Sequence, residues 1–368
     1  MLNSHDFHFP LIHYKKNKSN KEWGQAHGEE LRVAISELYE IRKELLLSKS
    51  PHLKSKLKEY GLLQFSKTQK MSANLSDEMM GIASGSNLTI HDIVLINNYT
   101  DFRDIGETQD EGCSTVHIQK KNNVLSGQTW DMHQTAKNYL VLLHVPESEN
   151  GPESVILTLS GCLGLMGINN KSLFVGVNNI NTKDAQNGIV WPALVRQALI
   201  QENLDEMRKT LWNAEVTSGH NYLISDYKSG EHHEITPKIK EMVSRLSPKE
   251  EGAIYHTNHC LGPKVLLLED KNALSSTTHC RFDLLKKNID NVIDSKTFYQ
   301  LLTSHEEYPK SICSHFMAKA IDPSMTCGGG IVDFSHSEMK FWRGCPHLDK
   351  NYKEYNFKLI DNHFIGYL

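Results

Sequence analysis

The sequence predicts an α+β protein in which two antiparallel sheets are sandwiched between helical layers. Three observations carry that expectation. Apolar residues recur at helical spacing through the first third of the chain, the period drops from 3.6 to 2 at Cys113, and beyond it clusters of strands alternate with pairs of helices.

Residues 1–22 are polar and basic and read as a loosely held leader. From Trp23 onward Leu31, Ala34, Ile35, Leu38, Ile41 and Leu45 repeat at helical spacing until Pro51, so one face of that segment must be covered. A second helical stretch surrounds Ser76 to Ala83 and stops at Gly85. Thr89-Ile90-His91-Asp92 opens a third, ending near Asn97. Asn98 to Glu111 is rich in Asp and Thr and reads as an exposed linker.

Segments 114–119 and 124–130 alternate around a Lys-Lys-Asn-Asn turn and predict a hairpin. Further strands are expected at 139–145, 154–159, 167–169 and 173–178. Trp191, Leu194, Val195, Ala198 and Leu199 form one apolar helical stripe, and 204–212 a second. Strands then follow at 221–225, 233–236 and 253–257, helices near 278–288 and 296–304, and a hairpin from Gly329 to Trp342.

The 368 residues carry a formal charge of −4, without the basic excess of a nucleic-acid partner. No run of 18 apolar residues and no basic-then-apolar start is present, so neither membrane nor secretion is expected and the reading is cytoplasmic. Seven scattered cysteines, an odd number, argue for reduced thiols. His256 with His259, and His232 with His233, supply too few ligands for a closed zinc site. With no CxxC or HExxH spacing, neither a metal nor a cofactor is expected.

The chemistry concentrates at Gly112-Cys113. A thiol directly after glycine can attack the Gly112 carbonyl, where no side chain obstructs the approach. Hydrolysis of the resulting thioester leaves Cys113 with a thiol and a free α-amine of pKa about 7.7–8, which can act as the base for its own nucleophile. Asp131, on the hairpin strand, is suited to orient that amine. Asn258, at a strand end, is suited to donate to an oxyanion, a contribution of ~3–4 kcal/mol when such a donor is lost. Each has a bland counterpart: a buried cysteine, a turn aspartate, an Asx-turn asparagine.

Seven blocks in order weigh against the bland versions: Gly24-x-x-His27-Gly28, Met80-Gly81-Ile82-Ala83-x-Gly85, Glu111-Gly112-Cys113-Ser114-Thr115, Gly127-Gln128-Thr129-Trp130-Asp131, Gly164-x-x-Gly167-x-Asn169, His256-Thr257-Asn258-His259 and Tyr308-Pro309-x-Ser311-Ile312-Cys313. Together they resemble the autoproteolytic cysteine N-terminal nucleophile hydrolases typified by acyl-coenzyme A:6-aminopenicillanic acid acyltransferase. The resemblance implies a four-layer αββα sandwich, cleavage at Gly112-Cys113, and a helical prosegment, residues 1–112, kept as a small subunit beside a 113–368 core. It implies Cys113 as nucleophile, Asp131 as orienting carboxylate and Asn258 as oxyanion donor, with Thr115 and Ser311 in supporting positions. The substrate would be a small N-acyl amide. One departure weakens any penicillin or coenzyme A thioester substrate: the family pattern places an arginine after Ser-Ile-Cys, where this chain has Ser314. Arg196 and Arg281 are candidate carboxylate clamps, although a solvated helix face is the more ordinary place for each. The competing expectations are an uncut Cys-His enzyme using His117 or His133, and an inactive binding protein with the same fold.

Overall fold

In the computed structural model, residues 9–106, 112–274, 276–315 and 322–367 are described. They form ten α-helices and fifteen strands. The first third holds β1 (Leu11–His13), α1 (Asn20–Glu30), α2 (Arg32–Lys49), α3 (Leu57–Met71), α4 (Ala73–Ser86), α5 (Ile90–Asn97) and α6 (Tyr99–Ile105). The middle holds β2 (Cys113–Lys120), β3 (Asn123–His133), β4 (Leu140–Val145), β5 (Ser154–Leu159), β6 (Met166–Asn169), β7 (Phe174–Asn179), α7 (Trp191–Leu199), α8 (Leu204–Asn213), β8 (His220–Ser225), β9 (Gly230–Ile235), β10 (Lys240–Leu246) and β11 (Gly252–His256). The last third adds α9 (Thr278–Asn288), α10 (Ser295–Leu302), β12 (Ser324–Asp333), β13 (Glu338–Arg343), β14 (Lys353–Ile360) and β15 (His363–Tyr367).

The strands make two stacked sheets, ordered β1-β4-β5-β6-β7-β8-β9-β10 and β11-β2-β3-β12-β13-β14-β15. Every named pair is antiparallel except β1 with β4. Alternation along β2 sorts its two faces. Val116 and Ile118 meet Leu284, Leu285, Phe298 and Leu302 of α9 and α10 in one apolar core. Cys113 and Thr115 point the other way, toward β7 and β8, where Thr115 Oγ1 donates to Asn178 Oδ1 at 2.5 Å and Gln128 spans to the Val177 backbone. Helices α7 and α8 cover the opposite sheet. The result is an αββα sandwich.

The early helices are built into this body rather than hung on it. Buried side chains from α2, α4 and α5 share one core with β4, β5, β7 and α7. The Asn97 amide bridges the Gly161 carbonyl and the Leu163 N–H, at 2.8 and 2.9 Å. Two of the sequence blocks find their reason here. A Cβ on Gly24 would lie 1.9 Å from the Glu78 carbonyl oxygen, and one on Gly81 would lie 2.1 Å from that of Lys21, so α1 and α4 cross with backbones in contact. His27, between the two glycines of its block, is fully buried and accepts from the Gly161 N–H.

Three expectations need correction. Residues 9–22 are not a loose leader: Phe9, Ile12 and Tyr14 are buried, and β1 pairs with the sheet edge. The leader's residues 1–8 lie outside the described residues. Tyr99–Ile105 is a helix, not a linker, with every residue from Tyr99 to Arg103 buried. The rest of that expected linker, at 107–111, lies outside the described residues. The two helices α1 and α2 also replace the single long one expected there, breaking at Leu31.

Candidate active site

Cys113 opens β2, one strand in from the sheet edge, with Trp130 as its partner across the ladder. The peptide bond before it is held at both ends. The Gly112 carbonyl accepts from the Asp131 N–H at 2.8 Å, and the Cys113 N–H donates to Asn258 Oδ1 at 2.8 Å. The Cys113 carbonyl accepts from Arg281 Nη1 at 2.5 Å. Cys113 itself is 6% exposed, and Asp131, Asn258 and Arg281 at most 1%.

Gly112 fits because it has no side chain. A Cβ there would stand 2.7 Å from both Arg281 Nη2 and Asp131 Oδ2. Glycine therefore permits a guanidinium and a carboxylate to close on the backbone immediately before the thiol.

Asp131 is positioned by an irregularity in the neighbouring strand. The β12–β3 register shifts between Thr326 and Gly328, a bulge that adds Cys327 without a partner and aims Thr326 at the carboxylate. Thr326 Oγ1 donates to Asp131 Oδ1 at 2.6 Å, whereas Oδ2 makes no hydrogen bond among the described residues. Burial pushes the Asp131 carboxyl up to about 6, against the opposing pull of Arg281 and Thr326. Burial likewise lowers the Arg281 guanidinium, and Asp131 offsets part of that.

Asn258 sits beyond the end of β11, its N–H donating to Thr278 Oγ1 at 2.8 Å. Its Oδ1 also receives Arg281 Nη2 at 2.6 Å. Since a guanidinium only donates, this contact fixes which end of the amide faces Cys113. The NH₂ end donates to the Asn179 carbonyl at 2.8 Å. In the uncut chain, then, Asn258 presents its oxygen to the residue expected to be the nucleophile, and the Asp131 backbone N–H supplies the donor on the Gly112 carbonyl.

The structure gathers Gly112, Cys113, Asp131 and Asn258, and adds Arg281. Sequence reasoning placed Arg281 more readily in solvent, yet it is fully buried, donating through Nε to Thr277 Oγ1 and through Nη1 to Ser114 Oγ as well. A signal was available: Arg281 stands three and four residues before Leu284 and Leu285, on the apolar face of α9. Arg196 is also buried, but remote in role; it forms a two-bond pair with Glu78 at 2.8 and 3.0 Å between α7 and α4. Thr115 reaches the polar layer between the sheets, and Ser311 donates to the Cys313 carbonyl at 2.6 Å, so both support backbone or neighbouring amides.

The histidines considered for a Cys-His pair are engaged elsewhere. His117 lies four residues along the strand from Cys113, ~13 Å at 3.3 Å per residue, and bonds Ser126 Oγ at 2.8 Å. His133 bonds Thr135 Oγ1 and Asp322. Burial lowers both imidazoles to about 4. Of the histidines weighed as metal ligands and set aside, His256 joins Glu234 Oε1 at 2.8 Å and His232 joins Asn221 at 3.0 Å.

Cys113 thus stands at the first position of an inner strand of an αββα sandwich, with its backbone nitrogen held by a buried amide. The family model described as acyl-coenzyme A:6-aminopenicillanic acid acyl-transferase matches residues 118–337. This stretch is more than half of the chain and takes in Asp131, Asn258, Arg281 and Ser311. The chain belongs to that family. It is 25% identical over 313 residues to the acyl-coenzyme A:6-aminopenicillanic-acid-acyltransferase 40 kDa form of Emericella nidulans, covering 82% of this chain and 84% of the relative. Solved structures found at lower similarity include a variant of the conjugated bile acid hydrolase from Clostridium perfringens, at 12% identity and TM-score 0.45 over 69% of this chain and 96% of that one. Another is the N-acylethanolamine-hydrolyzing acid amidase ortholog of Caenorhabditis elegans, at 12% and 0.42 over 61% and 93%.

Proposed function

We propose that this chain is an amidohydrolase or acyltransferase for small N-acyl amides, activated by cutting its own Gly112-Cys113 bond and working through a thioester on Cys113. The observation that carries the proposal is the grip on that one peptide. Its carbonyl oxygen meets the Asp131 N–H, its nitrogen meets Asn258, and Arg281 and Asp131 close over the glycine.

In maturation Cys113 Sγ bonds to the Gly112 carbonyl carbon, the carbon–nitrogen bond breaks, and the nitrogen takes the thiol proton. The Asp131 N–H stabilises the oxyanion that forms on the way. Water then cleaves the thioester, leaving a carboxyl on Gly112 and a thiol with an α-amine on Cys113. That amine inherits the contact with Asn258 Oδ1, which orients it to take the thiol proton when a substrate amide is attacked. The substrate acyl group passes to sulfur, the leaving amine takes the proton, and water or an acceptor amine completes the cycle. Residues 1–112 would stay bound, because their buried apolar side chains share the core of the remainder.

The substrate proposal is supported by family membership and limited by Ser314, which stands where the family pattern has an arginine. A screen of N-acyl amino acids, β-alanyl amines and β-lactams tests it, with product partition between water and added amine separating hydrolysis from transfer. The matured protein is expected to release amine from at least one class and the Cys113→Ala protein from none. Equal turnover by both would remove Cys113 from the chemistry.

A further inference from the structure

Away from Cys113, four potential metal-ligand side chains converge: His305, Cys313, His315 and Cys345. One ligand atom from each lies within 4.8 Å of all the others. Cys345 Sγ is 3.2 Å from His305 Nε2, and Cys313 Sγ is 3.5 Å from His315 Nε2. A tetrahedron with Zn–S near 2.3 Å and Zn–N near 2.0–2.1 Å has sulfur–nitrogen edges of ~3.5–3.6 Å, so the Cys313–His315 spacing matches and the Cys345–His305 spacing need lengthen by only ~0.3 Å. Cys313, His315 and Cys345 are buried and His305 partly so.

We propose that these four side chains bind one zinc ion in a closed Cys₂His₂ site. Two thiolates and two neutral imidazoles cancel the charge of a dication, and this donor set with tetrahedral spacing selects zinc over harder cations. The segment supplying three ligands is already folded back on itself, with Cys313 N–H to the Ser304 carbonyl at 3.1 Å and His315 N–H to the Pro309 carbonyl at 3.0 Å.

Four protein ligands leave no open position, so the ion's role is structural. It fastens the 305–315 segment to the turn after β13, and this segment reaches the active site in two steps. The Ser314 N–H donates to Thr326 Oγ1 at 2.7 Å, the Thr326 N–H donates to the Ser314 carbonyl at 2.8 Å, and Thr326 Oγ1 donates to Asp131. The site therefore stabilises the strand that presents the carboxylate's partner. It stands independently of the proposed catalytic cycle.

The test is metal analysis of untagged full-length protein purified under reducing conditions, followed by exchange with cobalt(II). About one zinc per chain is expected, together with the intense visible absorption of tetrahedral cobalt bearing thiolate ligands. Cys345→Ser and His305→Ala should lower bound zinc at least tenfold, while Cys280→Ser leaves it unchanged. The cobalt spectrum of the unmutated protein decides the matter if the variants fail to fold. Protein that holds less than a tenth of an equivalent of zinc and takes up no cobalt overturns the proposal. So does a Cys313–Cys345 disulfide in the reduced preparation.

Discussion

Arg196 and Arg281 are both buried arginines on helices that cover a sheet, and their surroundings differ in one respect. Arg196 faces Glu78 with two parallel bonds, and although burial lowers its guanidinium pKa, the charge of Glu78 raises it above the usual range. Among the described residues no carboxylate bonds Arg281 in this way. It spends its donors on the Cys113 carbonyl, Asn258 Oδ1 and two hydroxyls, and its pKa is pushed down. Among the described residues nothing hydrogen-bonds Oδ2 of nearby Asp131. The first arrangement satisfies a cation to fasten two helices. The second leaves charge incompletely paired around one peptide bond, which is how a site is poised for a change in charge.

Breaking the helix pair should have the largest effect on the fold. Glu78→Gln leaves Arg196 buried without its carboxylate and should cost about 3–5 kcal/mol in denaturant unfolding, with activity per folded molecule retained. Replacing both partners by apolar residues of similar volume should recover most of that loss.

Arg281→Met should behave in the opposite way, folding but cutting itself slowly. Losing its charge-assisted bonds to the Cys113 carbonyl and Asn258 Oδ1 should remove about 3 kcal/mol of positioning around the scissile peptide, a cleavage rate lower by ~10²-fold, read from band intensities over time. A variant that matures at the normal rate would make Arg281 as structural as Arg196.

Asp131 gives a pH-dependent comparison. Its carboxyl is raised to about 6 in the folded chain, so its contribution to stability is complete below the unfolded value near 3.8 and is lost as pH rises through 6. The stability advantage of the Cys113→Ala protein over its Asp131→Asn derivative should therefore shrink between pH 4 and pH 8, by on the order of 2–3 kcal/mol. A pH-independent difference in thermal or denaturant unfolding would contradict the buried-carboxyl assignment. A smaller effect of ~1 kcal/mol is expected for Thr115→Val, which removes one hydrogen bond in the layer between the sheets.

How much of this could be read from the sequence depended on whether burial was written in apolar residues. The β2–β3 hairpin and the α7 stripe of Trp191, Leu194, Val195, Ala198 and Leu199 were legible because apolar side chains mark their buried faces. Helix α3 was missed because the positions it buries are Gly61, Gln64 and Thr68, while Leu62 and Leu63 are exposed. The strands β10, β14 and β15 are partly exposed and rich in polar residues, so their alternation is weak. In the site, Gly112 and Cys113 were visible through local chemistry. Arg281 depended on recognising a charged residue as a core residue, and the His305, Cys313, His315 and Cys345 cluster depended on contacts separated by up to forty positions.

The central claim is that a thiol attacks the peptide bond before it. The mass of the denatured, purified protein tests this most directly. Two pieces of 112 and 256 residues meeting at Gly112 and Cys113 are predicted, against one uncut chain for Cys113→Ala. A wild-type protein that remains a single chain of 368 residues while hydrolysing amides would contradict the account.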